Sequence, residues 1–430
     1  MTGMIRRAQY RSPGKIRRIS AGAAAEAMLV LFYTLPFWKW VFEQIFELAG
    51  RETLALPVAL CMVYVPVLVL FAVARQRIPV DFLFILFYLG MYLGITYLLH
   101  PEYEYYYTRP EYGLLDYVAR PDNGLYAYLF VRLVNDPRRV LRGLRVSGYV
   151  IYAYSALRLY VATVKGFWME EGSRGQEYLS TYNMNYGYTL LIFVCCYLYC
   201  AFRRGNLFYL LLAGAGMFMI LCGGSRGPML DIGIFIALYA LVRFRRSRRK
   251  LLFLLGGAVG GGALPAAYRG ALRLLAWLTD RLHLYSRTLT MMMEGTVSQN
   301  NGRDVFWEAS FGMIRDNPAG YGAMGARHVL CDIHIVGHPH NVLIEWLIEY
   351  GVVLGPLLTA SLFLASLHIF WKKENEAWQG VFLIYFANAC LLLTSYTYWH
   401  SPAFWGALAV VVCYYQAERK RRCLTAERQM

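Results

Sequence analysis

Acidic residues are scarce. The 430 residues hold 27 Asp and Glu against 43 Lys and Arg, and only 16% of the chain is charged. Against this stand 58% hydrophobic residues and a mean hydropathy of +0.37, a composition that excludes an ordinary soluble globular domain. Cysteine is sparse as well. Of nine, eight lie in or beside apolar runs or at the basic C-terminus, and only Cys331 falls in a polar loop. A disulfide framework is thereby excluded, and most of these thiols are expected to fill core. The chain lacks a GxSxG, Walker or GxGxxG fingerprint in a matching context, and it shows no repeat and no low-complexity linker. A cleavable signal is also missing: the small residues of AGAAAEA precede the first apolar run, so that run reads as a retained span.

What the chain has is apolar length. Crossing the ~30 Å hydrocarbon core takes about 20 mostly apolar residues, and twelve runs qualify: 23–40, 53–74, 79–98, 114–134, 147–165, 185–202, 207–222, 228–242, 251–268, 352–371, 378–395 and 402–416. The run 114–134 carries Asp116, Arg120 and Asp122 in its first half. It is kept because the basic clusters (6–18, Arg75/Arg77, 138–145, Arg203/Arg204, 243–250, Lys372/Lys373 and 419–422) then all fall on one side, as cytoplasmic loops should. The net charge of +16 is thus spent on topology and lipid headgroups, and nucleic acid is excluded as a partner. The expected fold is an all-α integral membrane protein of about twelve helices, with a large, partly helical extracytoplasmic loop between the ninth and tenth spans. A basic cytoplasmic tail (1–22) precedes a single multispanning domain (23–416), and a second basic cytoplasmic tail (417–430) follows it.

Polar chemistry concentrates in the loop 269–340, which holds five of the eight histidines: His283, His328, His334, His338 and His340. Its stretches 270–284 and 303–316 have helical periodicity. Asn317-Pro318 breaks the second, and the glycines of AGYGAMGA follow as a turn. Of the other outer loops, 99–113 is rich in tyrosine, and 167–184 is aromatic and polar. The chain carries 35 Tyr and 10 Trp, most of them suited to the membrane interface, although aromatic faces in an outer loop also suit sugar rings.

Three arginines stand out. Arg226, in GGSRGP, sits in a short turn whose glycines permit close backbone approach and whose Pro228 suits a helix start. Arg303 opens the amphipathic segment NNGRDVFW, and Arg287 lies in YSRTLT. Guanidinium forks bind phosphate oxygens, so two or three that converge would clamp a diphosphate. The bland alternatives are a snorkelling interfacial arginine and solvated charges. In GHPHNVLIEWLIEYG (337–351), Asn341 is a good N-cap for a helix over 342–350, with Glu345 and Glu349 on one face. A histidine at that helix start near arginines is expected to stay neutral, as a general base must be. His338 and His340 both qualify, and a His that merely bonds loop backbone is the plainer reading. His328, Cys331, His334, His338 and His340 form a rival pattern for zinc, although the tight paired spacing of a metal site is missing.

With Arg226, Arg303 and His340 on one face, the chain resembles the O-antigen polymerase and O-antigen ligase superfamily. The matching pieces are GGSRGPMLDIG, NGRDVFWEASFGMIRDNPAGYGAMG and HPHNVLIEWLIEYGVVLGPL, together covering about 220–360. The first half is similar only in span count and hydropathy. The resemblance implies a multi-pass glycosyltransferase of the bacterial plasma membrane with both termini cytoplasmic, acting on the outer face without metal or cofactor on an undecaprenyl-diphosphate-linked glycan. It implies Arg226 and Arg303 on the diphosphate and His340 as the activator of the acceptor hydroxyl. Arg287, His338, Asn341 and Glu345 are then expected around the diphosphate and the helix start. The implied reaction is polymerisation of repeat units for O-antigen, capsule or exopolysaccharide, or ligation of finished glycan to lipid A core. A flippase and a chain-length regulator are the implied protein partners. The non-enzyme alternative is a transporter of the lipid-linked sugar. Transporters commonly place their key charges mid-membrane, whereas here the polar groups collect at one face.

Overall fold

The apolar runs form helices, as a chain must where no water is present to satisfy its N–H and C=O groups. A computed structural model describes residues 21–74, 77–109, 112–171, 177–180, 182–296, 302–372 and 375–427. Most of the expected basic N-terminal tail, with Arg75 and Lys373, lies outside the described residues. In chain order the helices are α1 (Ala21–Tyr33), α2 (Leu35–Glu47), α3 (Ala55–Ala74), α4 (Val80–Leu99), α5 (Glu104–Thr108), α6 (Gly124–Val134) and α7 (Pro137–Lys165). A short antiparallel hairpin, β1 (Trp168–Glu171) with β2 (Glu177–Ser180), interrupts them within the 167–184 loop. Then come α8 (Met184–Arg204), α9 (Leu207–Gly223), α10 (Gly227–Arg246), α11 (Lys250–Arg281), α12 (Arg287–Glu294), α13 (Arg303–Asp316), α14 (Arg327–Leu330), α15 (Val342–Trp371), α16 (Glu376–Ala389) and α17 (Pro402–Glu427). Short polar side chains set many of the starts: Asp136, Asn183, Asn206, Ser286 and Asn341 each accept a hydrogen bond from a backbone N–H of the first turn.

The protein is all-α apart from the hairpin. Among the described residues, five helices are long and apolar enough to cross a membrane, or six if α1 and α2, bent by 64°, count as one broken span. Ala55–Val69 and Leu207–Gly223 are shorter apolar helices. The count of twelve is therefore not reached by this measure, and several boundaries move. Apart from one π-helical turn at Leu115–Ala119, the 114–134 run is helical only over the eleven residues of α6, roughly 16 Å at 1.5 Å per residue. Its polar half folds into a turn instead, because Arg120 bridges Asp116 at 2.8 Å and Asp122 at 2.6 Å. Asn123 Nδ2 also donates to the Asp116 carbonyl. The helix α11 runs unbroken past residue 269, so the segment read as a separate loop helix over 270–284 is mostly its continuation. Likewise α7 starts at Pro137 and α17 continues to Glu427, so the basic stretches 138–145 and 419–422 are helical rather than loop or tail.

Aromatic side chains from α1, α6, α8, α16 and α17 fill the centre, with Phe130, Phe193, Tyr197, Phe382 and Tyr385 essentially fully buried. A smaller apolar cluster of Met313, Ala326, Leu330, Ile344 and Ile348 joins α13 and α14 to the start of α15. That start is a separate helical piece. At Gly351 the backbone turns to φ 75°, ψ 177°, which breaks α15 after two and a half turns. The freed groups are not left bare: Tyr321 N donates to Ile348 O at 2.7 Å, Gly322 N to Glu349 O at 3.0 Å and Val352 N to Pro318 O at 2.9 Å. The glycine turn after Asn317-Pro318 thus clasps the break.

Replacing Gly351 by alanine should lower the thermal unfolding midpoint of the purified protein. A Cβ there would lie 2.5 Å from Ala319 O in a left-handed backbone, a strain of about 1–3 kcal/mol. Gly312→Ala, in the helical interior of α13 with nothing within 4 Å of the added carbon, should leave the midpoint unchanged or raise it. Equal midpoints for the two variants would mean that the kink is not fixed by Gly351.

Candidate functional site

Four helix starts meet at one end of the bundle, and each carries a residue singled out from the sequence. Arg226 is the residue before α10, Arg287 the first of α12, Arg303 the first of α13, and His340 precedes the Asn341 cap of α15. Hydrogen bonds between the segments bring them together. Ser286 Oγ, the cap of α12, donates to Leu221 O at the end of α9 at 2.5 Å, and Asn183 N, the cap of α8, donates to Gly223 O at 2.9 Å. Asn341 Oδ1 accepts from Leu343 N and Ile344 N, while its Nδ2 donates to Leu393 O at 3.0 Å. The turn before Arg226 uses Gly224 at φ 79°, where a Cβ would strike Tyr182 at 2.8 Å and approach Arg287 Cβ at 3.6 Å.

The arginines sense one another. Burial, and then the charges of Arg303 and Arg287, push the Arg226 guanidinium below its ordinary proton affinity; as an arginine it remains charged. Arg287 stacks its guanidinium over the Tyr182 ring, 4.6 Å from the centroid. Among the described residues neither Arg287 nor Arg303 forms an ion pair with a carboxylate. Three cations at helix starts, whose exposed N–H groups add further positive potential, make a site suited to an anion.

His340 stands beside them. Its ring meets Phe306, on the first turn of α13, edge to face at 5.4 Å, and its backbone is held at φ 54°. Trp307 Nε1 fixes the turn by donating to Pro339 O at 3.2 Å, and His340 N points at His338 Nδ1 at 3.3 Å. Burial first, then the charges of Arg303 and His334, lower the His340 pKa to about 4. The imidazole is therefore neutral and able to accept a proton at pH 7. His338, 4.2 Å away ring to ring, is 7% exposed and turned inward. Burial, His340, Arg327 and His334 push it well below its ordinary value. Of the two histidines, His340 is the one that retains access from the arginine side.

His338 faces a small polar cavity that also meets Arg327, Glu345, Glu349, Thr397 and Trp399. Glu349 is saturated there: it accepts from Tyr398 OH at 2.5 Å, Trp399 Nε1 at 2.9 Å and Met324 N at 2.9 Å. Glu345, expected near substrate, is 2% exposed and accepts from Thr397 Oγ1. Its place is in this packing beneath the histidine turn, because α15 rolls both glutamates toward the 394–401 turn. Asn341 acts as the cap of α15, as its position in the sequence predicts.

The zinc-like pattern disperses. His328 packs on Tyr103 at 5.5 Å, and Cys331 Sγ takes a hydrogen bond from Arg109 at 3.4 Å. Among the described residues no group of three or more His, Cys, Asp or Glu is placed to hold a metal ion, and all nine cysteines are free. Three contributors escape sequence reasoning. Tyr182 supports Arg287, and its only signal is its place at the end of an outer loop. Tyr188 packs beside Gly227, where a Cβ would lie 3.5 Å from its ring and hydroxyl. Arg327 is 4% exposed, lies over the Tyr117 ring at 4.8 Å and donates to Tyr112 O, so it ties the tyrosine-rich loop to the histidine turn.

A multi-pass membrane protein with converging arginines and a neutral histidine at one end of its bundle is the class that fold and site define. Residues 207–359 match the family model described as O-antigen ligase, which supports the resemblance to the O-antigen ligase and polymerase superfamily read from the sequence. Arg226, Arg287, Arg303 and His340 all fall inside the matched stretch. No curated protein and no solved structure matches the chain.

In a histidine-selective NMR titration of the purified protein, His340 should titrate near pH 4 instead of near the unperturbed value of about 6.5. Arg303→Met, which removes a neighbouring cation, should move that titration upward. An unchanged His340 titration in the variant would show that Arg303 does not act on this ring.

Proposed function

We propose that this protein is a glycosyltransferase that moves sugar from a polyprenyl diphosphate to an acceptor hydroxyl at the outer face of the plasma membrane. The single observation behind it is the meeting of Arg226, Arg287 and Arg303 around a histidine kept neutral. The acceptor oxygen attacks the anomeric carbon while His340 takes its proton, and the bond from that carbon to the diphosphate oxygen breaks. Charge grows on the leaving diphosphate, and the arginines and helix N-termini are there to offset it. Fixed cations fill the role that a metal ion plays in other phosphate chemistry, so no metal is required. His338 and the carboxyl groups below it position the base.

The outer-face placement is supported by charge. From the arginine site α8 and α10 run to Arg203/Arg204 and to Arg243, Arg245 and Arg246, and Arg245 caps the carbonyls of Phe370 and Trp371 where α15 ends. The far end is therefore the basic, cytoplasmic end, and both termini and twelve membrane passages, some made by short or broken helices, fit that orientation. Polymerisation of undecaprenyl-diphosphate-linked repeat units is our preferred reaction, with a flippase supplying units and a chain-length regulator as pathway partners. The wet, aromatic outer loops suit a growing glycan. Ligation of finished glycan to lipid A core is the second reading, favoured by the description of the matching family.

Alanine at Arg226 or Arg303 should reduce transfer by roughly 10²–10³-fold, and alanine at His340 by about 10²–10⁴-fold, with protein yield and thermal midpoint kept. EDTA should have no effect; loss of activity that zinc restores would defeat the arginine mechanism. Activity should fall only as pH drops toward about 4, because the base is lost when His340 is protonated. Undecaprenyl-diphosphate repeat units supplied alone should yield a ladder of longer lipid-linked glycans. No ladder, with transfer appearing once lipid A core is added, would replace the polymerase by the ligase.

A further inference from the structure

A cavity of about 330 Å³ opens between the α1–α2 bend, the first turns of α8, the end of α16 and the 394–401 turn. It adjoins the arginine site: Tyr188 and Leu391, which line it, are the residues a side chain at Gly227 would strike. None of its lining residues falls within the stretch matched by the family. The arginines and His340 thus lie in the stretch that the family model matches, and the adjoining cavity lies wholly outside it.

Its chemistry is that of a neutral, hydroxyl-rich ligand. Asn185, Thr189, Asn388, His400 and Ser401 bring uncharged polar groups to a wall otherwise mostly apolar, with Phe32, Leu191 and Phe193 among its residues. Tyr188 and Tyr396 present rings edge to face at 5.3 Å, and the mixture suits the apolar faces and the hydroxyls of a sugar. The two charged residues at the wall are paired: Lys39 with Glu43 at 3.0 Å, and Asp122 with Arg120 at 2.6 Å. Among the described residues His400 Nδ1 is buried without a hydrogen-bond partner. Burial first, and then the charge of Arg120, lower the His400 pKa, so its ring offers one donor and one acceptor. An isoprenoid chain would leave the buried His400 Nδ1 unsatisfied, and a phosphate would find no unpaired cation. The volume is at the small end for ligand sites, enough for a short piece of glycan.

Resting on the transferase reading above, we propose that this cavity binds the neutral sugar units next to the reacting bond and decides which glycan the protein accepts. The arginine site then supplies the chemistry common to the family, and the cavity supplies selectivity.

The test uses purified full-length protein and two probes. One is the oligosaccharide freed by mild acid from the lipid-linked glycan of the source cell; the other is undecaprenyl diphosphate without sugar. Wild type should bind both. Thr189→Trp, which fills the cavity, and His400→Ala, which removes one polar partner, should each weaken oligosaccharide binding by about tenfold or more and leave undecaprenyl diphosphate binding unchanged. Arg226→Ala should do the reverse. Should Thr189→Trp fail to fold, His400→Ala decides. Oligosaccharide bound equally well by wild type and by the folded cavity variants, or not bound by wild type, would overturn the proposal. So would loss of undecaprenyl diphosphate binding in the cavity variants, which would assign the space to the lipid. If wild type ignores undecaprenyl diphosphate yet loses oligosaccharide on cavity substitution, the diphosphate site fails and the sugar cavity stands.

Discussion

The site hangs on one buried carboxyl group. Glu349 receives hydrogen bonds from the backbone of the glycine turn at Met324 and from Tyr398 and Trp399 in the turn before α17. Two segments distant from each other in sequence are thereby pinned to the first piece of α15. A buried acid is costly unless its oxygens are satisfied, and here both are. Break that satisfaction and the break at Gly351, the glycine turn and the 394–401 turn lose their common point. The His338-Pro339-His340 turn rides on this hub, because it enters the same helical piece one cap earlier.

On that base the chain gathers positive charge where a protein would ordinarily disperse it. Three arginines are held together by the starts of α10, α12 and α13, with Tyr182 supporting one of them, and the charges of Arg303 and Arg287 add to burial in lowering the proton affinity of Arg226. Repulsion of this kind is tolerated when the partner anion arrives from outside. Burial, reinforced by the Arg303 charge, keeps His340 neutral, so in the proposed reaction one arrangement would serve both the leaving group and the acceptor.

Much of this was legible in the residues. The arginine of GGSRGP, the arginine opening RDVFWEASFGMIRD and the histidine before Asn341 were visible because glycine, proline and cap residues announce helix starts locally. The break after Tyr350 was visible for the same reason: Gly351 separates two apolar stretches. The 114–134 run misled because apolar content was counted across a polar half, where Arg120 finds two aspartates within its own turn. The ends of α7, α11 and α17 misled because helices with basic or glycine-rich stretches continue past the hydrophobic boundary. Glu345 looked available to a ligand because sequence gives a helix face its period but not its neighbour.

The sequence by itself determined that this is a helical membrane protein with the arginines and histidines of the proposed site collected in a few short segments. Composition and local capping are properties of neighbouring residues, and they survive without knowledge of the fold. Only the tertiary structure decided which of two adjacent histidines keeps access to the arginines and which is buried over the glutamates. Only it joined residues from α1, α8, α16 and the 394–401 turn into a polar cavity beside them. Such contacts are set by how helices hundreds of residues apart pack, and no local pattern in the chain records that.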